Sequence, residues 1–285
     1  MNTHRLNPMA IFLFLVFLLI PACQTVPVTE RSQLVLLSKD EAAQMGEKTF
    51  EEILKKEKVS TDPELNAMVQ RLGRRITAAA GVQDDYKWEF KVIENDKTAN
   101  AFALPGGKVA VYTGILPITK TEAGLAAIMG HEVAHVTARH GSERVSQQLL
   151  VQTGLSAVMA ALTTGDSQTT QQVASLLGAG ATVGVMLPFS RKHESEADHL
   201  GLIYMAKAGY DPREARELWV RMAERSKGQR PPEFLSTHPA PETRIQQIEE
   251  WLPEAIPHYE KQRNQSDMFI PGSQTAFVMV FPVPF

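Results

Sequence analysis

The sequence predicts a mostly helical α+β fold in which a small β-sheet precedes one deeply buried helix. Three observations carry this expectation. Apolar residues recur at helical spacing through most of residues 39–255. Only the block from Tyr86 to Thr113 alternates as strands do. Soon after it, a proline-free stretch holds the pentapeptide His131-Glu132-Val133-Ala134-His135. The chain is 44% hydrophobic and 21% charged over 285 residues, enough to build one sizeable core. Its net charge of −3 gives no electrostatic reason to expect nucleic acid as a partner.

At the amino terminus, Ile11 to Ile20 is an unbroken apolar stretch behind Arg5. Its ten residues fall short of the roughly 20 that span a bilayer, so residues 1–22 are expected to be a cleaved signal peptide. Ile20-Pro21-Ala22-Cys23 resembles a bacterial lipobox, which makes Cys23 the expected lipidation site. Gln24 after it resembles outer-membrane sorting. Cys23 is the only cysteine, so an ordinary apolar core, with no internal disulfide, must hold the fold. The expected organisation is then a lipid-tethered linker over 23–38, one domain over 39–255 and a tail over 256–285.

Within the domain, Lys39 to about Glu57 reads as a charged helix. Asp62-Pro63 caps and starts the next, which runs to Ala80 with Leu65, Met68, Val69, Leu72 and Ile76 on its apolar face. Tyr86 to Glu94 alternates like a half-buried strand, and Ala99–Leu104 and Lys108–Thr113 flank Pro105-Gly106-Gly107 as a hairpin. Thr121 and Glu122 supply an N-cap and an acidic first turn for a helix from Ala123 to His140, with Gly141 as its left-handed stop. Gly124 and Gly130 each cost about 1 kcal/mol relative to alanine, so packing must hold this helix. From Val145 to Ser190 the only charge is Asp166. That segment fits a buried helical hairpin, a mobile lid over a cleft, or a membrane-facing hairpin. Ser190 can N-cap a helix ending at Gly209, and Asp211-Pro212 starts another.

The pentapeptide carries the chemistry. A helix advances about 100° per residue, so His131 and His135 lie about 40° apart, with Cβ atoms about 5–6 Å apart. Two imidazoles so placed can close on one metal ion. Glu132 lies about 100° from His131 and about 60° from His135, beside the ion without binding it. This suits metal-assisted hydrolysis: two neutral nitrogens hold zinc, and a carboxylate acts as base toward the attacking water. The pattern alone arises by chance in roughly one such chain in a hundred, so a third ligand must decide.

Ala138 and Gly141 stand where a metzincin would need glycine and histidine. On a continuous helix His140 points about 140° away from His135. In the later helix, Glu194 and Asp198 are four apart and share a face, while Glu196 points about 200° from Glu194. This geometry proposes Glu194 as the third ligand and Asp198 as a carboxylate that accepts the free N–H of a ligand histidine. Glu196 as the ligand, or a merely solvated acidic face, stays open at this point.

His131–Gly141 (HEVAHVTARHG), followed about 60 residues later by SRKHESEADHLG, resembles the gluzincin zinc metallopeptidases of the CAAX prenyl endopeptidase and HtpX type. Bacterial periplasmic and mitochondrial inner-membrane quality-control proteases belong to that group. Asn100–Leu116 and Ser236–Ile245 resemble two further elements of the family, so the resemblance covers roughly Glu41 to Trp251. It implies a zincin-like metalloprotease domain with one zinc ion per chain on His131, His135 and Glu194. Glu132 would be the base, and Asp198 would support a ligand from behind. It also implies an edge strand beside the metal, so Asn100, Ala101 and Phe102 are expected to bind substrate backbone. His238, in the Thr237-His238-Pro239 loop, is expected to act on the oxyanion or to approach and gate the zinc. Arg244 is expected as a charged substrate contact or a structural one. His4, His193, His199 and His258 show no partner pattern.

Two functions fit. One is a zinc endopeptidase of the bacterial periplasm, lipid-anchored at the inner leaflet of the outer membrane, that hydrolyses misfolded or misassembled envelope proteins. The other is a chaperone-like outer-membrane assembly factor whose protease site is mostly latent.

Overall fold

The computed structural model describes residues 23–26, 28–162, 189–226, 232–238 and 243–268. The expected signal peptide, most of the second half of the uncharged segment, and the end of the tail lie outside them.

Helix α1 (Lys39–Leu54) opens with a capping box between Ser38 and Glu41, and α2 (Pro63–Ala79) with Asp62 accepting from Glu64 and Leu65 N–H. Three strands follow the short strands β1 (Cys23–Thr25) and β2 (Ser32–Leu34): β3 (Glu89–Ile93), β4 (Ala101–Leu104) and β5 (Lys108–Tyr112). They order as β3-β5-β4, with β5 parallel to β3 and antiparallel to β4. The hairpin is therefore as expected, and β4 is an edge of this sheet. After the short α3 (Leu116–Thr119) come α4 (Glu122–Thr137), α5 (His140–Leu162), α6 (Arg191–Lys207), α7 (Arg213–Ser226), the single turn α8 (Phe234–Thr237) and α9 (Arg244–Met268). Among the described residues no helix is long and apolar enough to cross a membrane.

The core forms around α4, whose residues Gly124 to Thr137 are all buried. A helix buried on every side needs neighbours all round. Here β4, α2, α6 and α7 supply them. Gly130, one of the two glycines that weaken α4 as an isolated helix, now has a use. A Cβ on Gly130 would lie 2.8 Å from the Gly201 carbonyl oxygen, and one on Gly201 would lie 2.7 Å from the His131 nitrogen. The α4 and α6 backbones therefore touch at the level of the pentapeptide.

Three expectations change. α4 ends at Thr137, with Ala138 as C-cap and Arg139 in the left-handed region at φ 55°. Arg139, and not Gly141, ends the helix. The strain of about 1–2 kcal/mol for a non-glycine residue there is met by anchoring. The Arg139 N–H reaches Val136 O at 3.0 Å, and its guanidinium donates to Leu37 O at 2.7 Å. Nor are residues 23–38 a free linker. β1 and β2 pair, Val26 is buried in the main core, and Leu36 N–H donates to Ser146 Oγ at 2.9 Å. The helix α9 also runs through residue 256, the expected start of the tail.

Replacing Gly201 by alanine should lower stability by about 1–3 kcal/mol, as overpacking does where backbone cannot yield. Urea unfolding of the variant measures this, and an unchanged midpoint would mean that the two helices can separate freely.

Candidate metal centre

Helix α4 delivers His131, Glu132 and His135; α6 delivers Glu194 and Asp198. Ser190 accepts the His193 N–H at 3.2 Å and so starts α6 one turn ahead of Glu194. That places a carboxylate at the positive end of the helix. His238 comes from the residue that ends α8, where its N–H bonds to Phe234 O at 2.9 Å.

One ligand atom from each of His131, His135, Glu194 and His238 lies within 4.8 Å of the others, and all four residues are buried. His131 Nε2 is 3.0 Å from His135 Nε2 and 3.4 Å from Glu194 Oε2. His135 Nε2 is 3.4 Å from Glu194 Oε1, and His238 Nδ1 is 3.2 Å from His131 Nε2. A tetrahedral zinc ion with ligands at about 2.0–2.2 Å holds them about 3.3–3.6 Å from one another. The donor set and spacing fit.

Protonation makes the same point. The His131 Nδ1–H faces Asp198 Oδ1 at 2.9 Å, a carboxylate that can only accept. His140 Nε2–H likewise donates to Glu196 Oε2 at 2.9 Å. A neutral His140 then has an accepting Nδ1, so the 2.9 Å contact between the His140 and His135 Nδ1 atoms takes its proton from His135. Both Nε2 atoms of the pentapeptide therefore carry lone pairs, and these converge with a carboxylate. Only a cation relieves that arrangement. Without a metal a proton does so: burial opposes charge on His131, but Glu194 and Asp198 outweigh it and raise its pKa to about 9.

Glu132 is different. It is 0% exposed and neither carboxylate oxygen makes a hydrogen bond of normal geometry. His238 Nε2 lies 3.5 Å from Oε1, and the Ala103 backbone also faces the carboxylate. Burial pushes its pKa up, against the pull of His238 and His131. A buried carboxylate so sparsely paired is costly, and it keeps acceptor capacity to spare beside His238 of the cluster.

Of the two roles expected of Arg244, substrate contact or structural contact, its surroundings fit the structural one. It is buried, stacks its guanidinium 3.5 Å above the Trp219 ring, and donates to Glu194 Oε2 at 3.2 Å and Asp198 Oδ1 at 2.5 Å. Its work is to hold the two carboxylates of α6 in place. Glu196, the alternative ligand, lies outside the cluster and pairs with His140 and Arg31.

Most of the expected substrate strand borders a cavity. Asn100 and Phe102 line a cavity of ≈ 220 Å³ together with Ala103, Tyr112, Phe189 and His238. Ala101, in contrast, is 0% exposed and faces the core, so its side chain is not available to substrate. Cys23 opens β1, paired with Leu34. The uncharged segment begins as α5 and ends by laying Phe189 flat on His135, with ring centroids 3.8 Å apart.

Sequence reasoning missed His140, Glu196, Glu143, Arg31 and Phe189. The helix-stop chemistry around Arg139 was the one available signal for His140, and it was misplaced by two residues. The others depend on contacts across 50 to 170 residues that no local pattern contains.

The sequence profile described as "Peptidase family M48" matches residues 63–252. Similar proteins include the mitochondrial metalloendopeptidase OMA1 of Schizosaccharomyces pombe, 40% identical over 81% of this chain, and that of Saccharomyces cerevisiae, 34% identical over 82%. The beta-barrel assembly-enhancing protease of Escherichia coli K12 is 29% identical over 79%. The chain spans 66% and 70% of the two yeast proteins and 46% of the E. coli protein.

Glu143 gives a pH prediction. Burial opposes its charge, but His193 and Arg31 outweigh this and hold its pKa at about 2, below the ordinary 4.5. A depressed carboxylate pKa stabilises the fold fully above 4.5, and this is lost as pH falls toward 2. Between those limits, the urea midpoint should fall more steeply for wild type than for Glu143→Gln. Parallel profiles would remove Glu143 from the acid response.

Proposed function

The chain belongs to peptidase family M48, and from that premise we propose that it is a zinc-dependent endopeptidase of the bacterial cell envelope acting on misfolded or misassembled envelope proteins. The observation that carries the peptidase reading is the convergence of His131, His135 and Glu194 beside the buried, sparsely paired carboxylate of Glu132. Zinc, when bound there, supplies positive charge that polarises a scissile carbonyl and acidifies water.

The protein's own groups do the rest. Glu132, with its pKa raised by burial, is suited to take a proton from the attacking water and return it to the leaving amine. Asp198 and the His140–Glu196 pair hold the two ligand imidazoles in one tautomer. The β4 edge beside α4 offers backbone groups to an extended peptide, with Asn100 and Phe102 at the adjoining cavity. The lipobox-like Ile20–Cys23 supports the envelope location and an anchor on the outer membrane. The beta-barrel assembly-enhancing name of a relative is in keeping with it.

A second reading, an assembly factor with a mostly latent site, is favoured by His238. Its Nδ1 stands among the ligand atoms, where a catalytic zinc keeps a position open for water or substrate. Phe189 on His135 and the complete burial of Glu132 add to that closure.

Metal analysis and casein cleavage by the purified chain separate these readings. Wild type should contain one zinc and cleave. Glu132→Gln should keep the zinc and lose activity by at least about 100-fold. Glu194→Gln should bind less zinc than wild type. Zinc lost in Glu132→Gln, or retained in full by Glu194→Gln, would reverse the assigned roles. Folded, zinc-loaded wild type that cleaves nothing would leave the latent reading.

A further inference from the structure

Arg31 lies between β1 and β2, outside the residues that the family profile matches. Its side chain is 12% exposed and forks between two acidic residues on different helices. Nη1 and Nη2 donate to the two oxygens of Glu143 at 2.9 and 2.7 Å, and Nε donates to Glu196 Oε2 at 2.8 Å. The Thr29 hydroxyl donates to the other oxygen of Glu196. Glu196 in turn accepts His140 Nε2–H, and His140 Nδ1 accepts His135 Nδ1–H, each at 2.9 Å.

We propose that Arg31, assisted by Thr29, is a positioning residue for the metal centre. By fixing Glu196 it fixes the proton of His140, and this leaves the Nε2 lone pair of His135 directed at the metal. The inference rests on the metallopeptidase reading and extends it to a segment expected only to tether the chain.

The physical case is one of acceptors. His135 can present Nε2 to a metal only if its proton sits on Nδ1 and finds an acceptor there. His140 is that acceptor only while its own proton is held on Nε2 by a fixed carboxylate. Glu196 has an exit, because Lys192 and His199 line a groove that opens beside it. Arg31 closes this route: its planar fork satisfies Glu143 and Glu196 at once, a geometry that a lysine ammonium cannot copy. His193, stacked on His140 with centroids 4.5 Å apart and bonded to Glu143 at 3.1 Å, completes the same cluster.

The test is the dissociation constant of the full chain for Zn²⁺ alone, by chelator competition, with folding followed by circular dichroism. Arg31→Ala should bind zinc about 10-fold or more weakly, the size seen when the partners of ligand histidines are removed. Arg31→Lys should recover only part of the loss. Arg71→Ala, which breaks an exposed ion pair with Glu122, should match wild type. In ¹⁵N spectra of the zinc-loaded protein, His140 should carry its proton on Nε2 in wild type and show a mixture in Arg31→Ala.

Zinc affinity within twofold of wild type in folded Arg31→Ala would overturn the proposal, as would an equal loss in Arg71→Ala. Should Arg31→Ala not fold, Arg31→Lys decides: wild-type affinity there counts against the fork. Wild type that binds no zinc would instead defeat the metallopeptidase reading itself.

Discussion

Because neither Gly130 nor Gly201 carries a side chain, the helix bearing His131 and His135 meets the helix bearing Glu194 and Asp198 backbone to backbone. Everything in the metal cluster depends on that approach. A methyl group at either position would lie under 3.0 Å from backbone atoms of the other helix. Separation of the helices to relieve it would widen the 3.4 Å spacings from Glu194 to the two imidazoles and the 2.9 Å bond from His131 to Asp198. The conformational cost of glycine inside a helix is thus offset by a site that needs two helix axes unusually close.

Close approach also crowds buried charge, and the structure answers with arginines that each serve two carboxylates. Arg244 holds Glu194 and Asp198 on one side of the cluster; Arg31 holds Glu196 and Glu143 on the other. An isolated buried carboxylate would be expensive, and among these acids Glu132 is the most weakly paired, with His238 at 3.5 Å and the Ala103 backbone beside it. The exception falls at the position where chemistry needs a free acceptor. Both ligand histidines are oriented from behind: His131 directly by Asp198, His135 through the longer path of His140 and Glu196.

The site was legible to the extent that it is helical. Four-residue spacing puts His131 with His135, and Glu194 with Asp198, on common faces whatever the rest of the chain does. The same reasoning failed at His140, because it assumed an unbroken helix. Arg139 takes a left-handed conformation, α5 starts afresh, and His140 turns back toward His135. For Arg244 the sequence left a substrate contact and a structural one open, and burial against Glu194 and Asp198 makes it a clamp.

The sequence by itself determined α1, α2, α4, α6 and the start of α7, the hairpin ahead of α4, and three residues of the candidate metal cluster with Glu132 beside them. These follow from local periodicity, capping and side-chain chemistry, which act over a few residues. Only the tertiary structure decided what surrounds them: the seat of His238 among the ligands, Phe189 over His135, and residues 23–38 packed onto the domain. Those outcomes are set by which surfaces meet after collapse, and such contacts join residues 50 to 170 positions apart. Local spacing carries no record of them.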